Sequence, residues 1–291
     1  MLSTFCATCG VVNQVAEPFC VGCGANLALQ PASAPPHNPA AAPTADWQPF
    51  QHPLMPLRGI GPFSIGEVFK TSLSLFFSNI WLITKIVFVV VAPFEIFKAL
   101  TLVQERQDWQ TTLLTLLLGA FCNVLIAPAL IYALMKILET GTKPGVNESF
   151  RWGLAKIWPF ALCAAAAWFL QALGYVLCFI PGIIVSLTLA VVYPIAVLEN
   201  GPVEGVLKRS SALTRGYRLE ILLVGIGVGL VVSAIALPFV FLMAVNSPPL
   251  GVIGGIVIDI LEEAVTVLSL VLYLSLARTP RSGPIPLSTS I

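Results

Sequence analysis

Six apolar runs dominate this chain, near residues 80–103, 112–138, 158–180, 182–199, 219–245 and 252–277. A helix needs about 20 apolar residues to cross a hydrocarbon core, and in lipid every backbone polar group must be satisfied within the segment. The expectation is therefore an all-α polytopic membrane protein with six transmembrane helices. Composition agrees: 57% of the 291 residues are hydrophobic and 10% are charged, against about 25% charged in soluble domains. Prolines stand within or at the ends of spans at Pro93, Pro128, Pro159, Pro194 and Pro238, where neighbouring helices take up the freed hydrogen bonds. Pro181 and Gly182 head the short fourth run, which predicts a tight hairpin between spans three and four through the sequence FIPG.

Charge placement sets the expected orientation, because Lys and Arg near span ends are retained in the cytoplasm. Thirteen of the 15 Lys and Arg residues lie before or near the start of span one, between spans two and three or at the adjoining end of span two, between spans four and five, or after span six. Only Lys98 and Arg106 fall on the other side. Both termini are thus expected in the cytoplasm, with a prokaryotic inner membrane as the expected location. The net charge of +1 gives no reason to expect a nucleic-acid partner. No basic segment followed by an apolar run precedes the first cysteines, so no secretory signal is expected.

Those cysteines form two CxxCG turns, Cys6 with Cys9 and Cys20 with Cys23. Each turn presents two thiolates to one ion, and two turns complete a tetrahedral S4 site. A stretch this small holds no core of its own without a metal or disulfides, and a cytoplasmic location keeps thiols reduced. Structural Zn2+ on Cys6, Cys9, Cys20 and Cys23 is the expectation, and a closed S4 site offers no open position for catalysis. The second turn, FCVGCGANL, resembles the minimal zinc ribbons at the N-termini of many bacterial and archaeal membrane and regulatory proteins; that resemblance implies a docking surface. Residues 31–57 follow with eight prolines and no Lys or Arg, a composition that predicts a semi-extended spacer. The expected organisation is a ribbon at 1–30, a linker at 31–57, a membrane domain at 58–280 and a tail at 281–291.

Three segments ahead of span pairs resemble one another: SIGEVFKTSLSLFFSNIW (64–81), GVNESFRWGLAKIW (145–158) and GPVEGVLKRSSALTRGYRLEIL (201–222). Superposing Lys70, Arg151 and Lys208 also superposes Phe69, Phe150 and Leu207, with a glutamate three or four residues upstream. Helical spacing of apolar residues at 65, 68, 69, 73 and 76, and again at 146, 150, 154 and 157, predicts short amphipathic helices, the first with a capping box from Ser64 to Glu67. Three helix-plus-hairpin units are the expected architecture. The basic residues Lys208, Arg209, Arg215 and Arg218 form an expected cytoplasmic interface. The stretch EGVLKRSSALTRGYRLEIL is similar to a motif in the membrane domain associated with bacterial glycerophosphodiester phosphodiesterases and related multispan proteins. Ser211 stands where that motif has a large aromatic. The resemblance implies a polytopic domain, without the phosphodiesterase's catalytic barrel.

Asp259, Glu262 and Glu263 lie at i, i+3 and i+4 within span six. Carboxylates inside a membrane are costly, so such a cluster marks a cation or proton site unless it lies at the outer interface beside Lys98 or Arg106. Glu95 and Lys98 are spaced as a local ion pair. GxxxG appears in GIGVG (225–229) and GVIGG (251–255), where helices approach closely. No nucleophile-and-base pattern, phosphate loop or His-containing metal site is present, so no enzymatic role is expected. The leading expectation is a membrane scaffold or regulatory component whose ribbon meets a cytoplasmic protein partner. The alternative is a transporter, channel or lipid-handling protein that uses a cavity between hairpins.

Overall fold

The computed structural model describes residues 3–5, 12–14, 60–103, 109–199, 201–244 and 248–279. All four ribbon cysteines, the whole of 31–57 and Arg106 lie outside these residues. Residues 47–278 form one compact unit. In the other unit, strands β1 (Ser3–Phe5) and β2 (Val12–Gln14) pair antiparallel with Phe5 opposite Val12.

Ten helices are described in the large unit: α1 (Ile65–Ser78), α2 (Ile80–Val103), α3 (Trp109–Thr140), α4 (Val146–Ala155), α5 (Ile157–Leu177), α6 (Phe179–Thr188), α7 (Val192–Leu198), α8 (Val203–Thr214), α9 (Arg218–Ala244) and α10 (Pro248–Arg278). Five segments are long and apolar enough to cross a membrane: Ile80–Ala99, Thr112–Thr140, Ile157–Leu177, Phe179–Leu198 and Arg218–Phe241. That is the pattern of a multi-pass membrane protein. The expected sixth span falls in α10, which is enclosed instead. From Ile260 to Leu276 only Glu262 and Val265 are exposed. Large apolar side chains turn outward on the other helices, as lipid-facing surfaces require, with Trp81 75% and Trp158 78% exposed at the starts of α2 and α5. Tryptophan at such positions suits the membrane–water boundary.

All three repeated segments are helical, as α1, α4 and α8, and each stops one to three residues before a long helix begins. Asn79 ends α1 and donates from Nδ2 to the Leu75 carbonyl at 2.9 Å. Gly216, at φ +91°, makes the turn between α8 and α9, a backbone conformation that suits glycine. The units α1–α2–α3, α4–α5–α6/α7 and α8–α9–α10 pack in cyclic order. Each short helix docks on the preceding unit: α4 on α3 and α2, α8 on α7 and α5, and α1 on α10 and α9. The first long helices follow the same rule, with α2 on α10, α5 on α3 and α9 on α6. At the centre α3, α7 and α10 meet pairwise. The enclosure of α10 follows, since it is one of three inner helices and touches both neighbouring units.

The register repeats as well. Two residues before and two after the superposed basic position, every side chain is buried: Val68 and Ser72, Ser149 and Gly153, Val206 and Ser210. Lys70, Arg151 and Lys208 themselves are exposed. In α4 the small residues Ser149 and Gly153 turn inward, Val146 and Phe150 pack against the core, and Leu154 is exposed. A Cβ on Gly153 would lie 3.0 Å from the backbone nitrogen of Ala129. Against lipid, large apolar side chains gain nothing by burial in protein, whereas small ones let backbones approach. The capping box is also absent: Ser64 caps α1 without a side-chain hydrogen bond.

Polar contacts join successive units. Lys136 and Tyr132 of α3 both reach Glu148 of α4, the tyrosine at 2.7 Å. Buried Glu199, just past α7, lies 3.6 Å from Arg209 of α8 and accepts from Tyr273 of α10 at 2.8 Å. Arg278 of α10 donates to the Ile60 carbonyl ahead of α1. The expected hairpin through FIPG is present: one residue, Cys178, links α5 to α6, and a Cβ on Gly174 would sit 3.1 Å from the Cα of Gly182.

Candidate functional site: a carboxylate-lined cleft

The fourth apolar segment is broken. Between α6 and α7 the backbone leaves the helix over Leu189–Val191, which frees carbonyls that must find donors. Ser210 donates to the Thr188 carbonyl at 2.8 Å, Thr214 to the same oxygen at 3.3 Å, and Ser269 to the Ala190 carbonyl at 2.7 Å. Two residues of the stretch that carries the family resemblance, Ser210 and Thr214, therefore hold the break. The break in turn sets Tyr193, at the start of α7, facing the centre of the bundle. Its hydroxyl accepts from the Trp168 indole at 2.7 Å.

A cleft of about 400 Å3 opens there, lined from α2, α3, α7 and α10. Val91 and Phe94 come from α2, Cys122 and Asn123 from α3, Tyr193 from α7, and Asp259, Glu262 and Glu263 from α10. The short helix α4 docks on the later half of α3, at Ala129, Tyr132 and Lys136, and the end of α10 meets the chain ahead of α1 through Arg278. The cleft is lined by the earlier and middle turns of α3 and α10, from Gly119 to Ile126 and from Asp259 to Thr266. Asp259 stands eleven residues into α10, about 16 Å along the helix at 1.5 Å per residue.

The carboxylates differ in what surrounds them. Glu95 of α2 is buried and paired with Lys98, and it lies beside Asp259 across the α2–α10 contact. Gly255 permits this, because a Cβ there would overlap the Glu95 carboxyl group. Glu263 is 5% exposed, and its Oε2 has no partner. Asp259 Oδ2 is likewise buried without a partner. Lys98 also lies over the Phe94 ring, 5.1 Å from its centroid. A buried carboxylate oxygen without a donor loses its hydration and gains nothing in return. Unmet oxygens at i and i+4 on one face of a packed helix are thus an arrangement that a cation with N–H groups, a proton or water would relieve.

The three carboxylates expected from the sequence all line the cleft, Asp259 beside the Glu95–Lys98 pair. Glu95 and Lys98 prove to be part of the same site; span order hides this, since α2 and α10 are far apart in the chain and adjacent only through the cyclic packing. Tyr193 carried no sequence signal beyond its place before Pro194. The GxxxG reading changes too. Gly225, Gly229 and Gly251 have nothing near them, while Gly227 approaches Phe69 and Gly255 approaches Glu95.

The four basic residues of the expected interface differ in exposure. Lys208 and Arg215 are exposed, the former paired with Glu204 at 2.6 Å. Arg209 turns in toward Glu199, and Arg218 is half-buried with no hydrogen-bond partner for Nε. Cys122 and Cys163 are buried in the bundle and Cys178 is exposed at the hairpin link. Among the described residues, no three His, Cys, Asp or Glu side chains converge as a metal site. No family model, no curated protein and no solved structure matches this chain.

Proposed function

We propose that this chain is a non-enzymatic six-span membrane protein, α10 counted as the sixth span, that conducts or carries a cation or proton through the cleft between α2, α3, α7 and α10. The observation that carries this reading is the set of three carboxylates lining one cleft, with Asp259 Oδ2 and Glu263 Oε2 buried and left without donors. Intramembrane acidic groups of this kind serve ion and proton pathways in transport proteins. The broken α6–α7 segment adds support, since interrupted helices beside a central site recur in transporters. Both termini and the exposed Lys70, Arg151 and Lys208 lie on the cytoplasmic side in this reading.

The test is flux into proteoliposomes. Wild-type protein is expected to pass protons or a monovalent cation down an imposed gradient. A variant with Asp259→Asn, Glu262→Gln and Glu263→Gln is expected to pass neither while unfolding at an unchanged temperature. Equal flux in the two proteins would refute the reading.

For the N-terminal segment we propose the second role, contact with a cytoplasmic protein through a ribbon that holds structural zinc on Cys6, Cys9, Cys20 and Cys23. What supports it is the spacing of the two CxxC turns, together with the β1–β2 pairing whose Phe5–Val12 end flanks the first of them in the sequence. The likeness of residues 204–222 to the phosphodiesterase-associated membrane domain belongs to the same proposal. Affinity recovery from membranes, with the four cysteines intact or all Ser, tests the ribbon: a partner recovered equally with both would assign the contact elsewhere.

A further inference from the structure

We infer that the cleft takes a primary alkylammonium ion, held by Asp259 and Glu263 with its chain along Val91, Phe94 and Val265. The inference rests on the cleft being the functional site and names the chemistry of its occupant. Three features of the cleft select that chemistry.

First, Lys98 already shows the recognition. Its ammonium pairs with Glu95 and sits over the Phe94 ring, the combination of carboxylate and aromatic face that favours an organic cation. Phe94 belongs to the cleft lining, so the chain's own primary amine sits beside the site. Second, two carboxylates of the lining lack such a partner. Asp259 Oδ2 and Glu263 Oε2 are buried acceptors without donors, one helical turn apart on the same face of α10. A primary ammonium has three N–H donors and spans such a pair. A quaternary ammonium has none and would leave both oxygens unmet. Third, the size and lining fit. The volume of about 400 Å3 lies in the range of small-molecule sites, and it corresponds to roughly a dozen waters at about 30 Å3 each. Val91, Phe94, Ile126 and Val265 supply apolar walls beside the carboxylates, which bare inorganic cations do not use.

Lys98 is then a competitor for the same cluster. Through Glu95 it holds positive charge against Asp259, the neighbour of Glu95 across the α2–α10 contact. An incoming ammonium meets less repulsion once that charge is removed.

Calorimetric titration of the full-length protein in nanodiscs decides the matter, with n-butylammonium, tetramethylammonium and n-butanol as probes. Saturable binding of n-butylammonium is expected, with the other two at least tenfold weaker. Lys98→Met is expected to tighten n-butylammonium about tenfold, and Glu263→Gln to weaken it at least tenfold. Equal binding of tetramethylammonium and n-butylammonium would overturn the inference, because N–H donors would then be irrelevant. The wild-type selectivity stands whether or not the variants fold. If no probe binds while proton or inorganic-cation flux still depends on Asp259, Glu262 and Glu263, this inference fails and the cleft remains a pathway. If neither binding nor flux is found, both fail.

Discussion

Gly153→Ala tests the inward face of α4 more sharply than any large truncation. The new Cβ would lie 3.0 Å from the Ala129 backbone nitrogen, 3.2 Å from its Cα and 3.4 Å from its Cβ. Favourable carbon contacts sit at about 3.5–4.0 Å, so α4 must retreat from α3 by about half an ångström. None of these three atoms belongs to a side chain that can swing aside. Overpacking of this kind costs about 1–3 kcal/mol, and the helix preference of Ala over Gly returns up to about 1 kcal/mol. The net expectation is a loss of about 0.5–2 kcal/mol. Gly229→Ala is the control of opposite sign, because nothing lies within 4 Å of its Cβ position, and it should gain about 0.5–1 kcal/mol. Leu154→Ala, at a site 52% exposed toward the surroundings, should change stability by less than about 0.5 kcal/mol. Reversible unfolding in mixed micelles, read by tryptophan fluorescence, measures all three. If Leu154→Ala proved the costly change and Gly153→Ala the harmless one, the inward face of α4 would be the apolar stripe and the docking described above would be wrong.

Other substitutions reach the remaining features. Gly255→Ala should displace Glu95 from its contact with Asp259 and reduce proteoliposome flux at least tenfold with unfolding little altered; flux at the wild-type level would detach Glu95 from the site. Hydrogen bonds from Lys136 and Tyr132 hold the Glu148 carboxyl below the usual carboxylate range. A depressed acid stabilises the folded state above its unfolded value, and that contribution disappears as pH falls through the folded one. The stability difference between wild type and Lys136→Met should therefore shrink between about pH 7 and about pH 3, and a constant difference would mean that the contact is not ionic. Purified full-length protein should carry about one zinc per chain, lost when Cys6, Cys9, Cys20 and Cys23 are all Ser. An equal metal content in the two would exclude the proposed ligand set.

Hydropathy and helix-breaking residues made most of the architecture legible beforehand. Runs of about 20 apolar residues leave a chain little choice but long helices, and the observed ends differ from the expected ones by a few residues. Spacing relative to Lys70, Arg151 and Lys208 disclosed three like units, because residues on one side of a helix recur every three or four positions in any environment. Which side turns inward was not readable by the same rule. The apolar stripe of α1 is buried at Val68 and Phe76, whereas in α4 Ser149 and Gly153 make the closest approach and Leu154 is exposed, because small residues let backbones come together.

The sequence by itself determined the lipid-suited helices, the threefold pattern, the asymmetry of basic residues and the presence of three carboxylates on one helical face. Local chemistry is enough for each, since all depend on residues close together in the chain. Only the tertiary structure decided that α10 is enclosed and that α2 lies beside it. It also decided that Glu95 meets Asp259 over Gly255, and that Ser210, Thr214 and Ser269 hold a broken helix which turns Tyr193 toward the same cleft. Those relations join residues up to about 170 positions apart, and they exist because three units close into a ring, which no local pattern encodes.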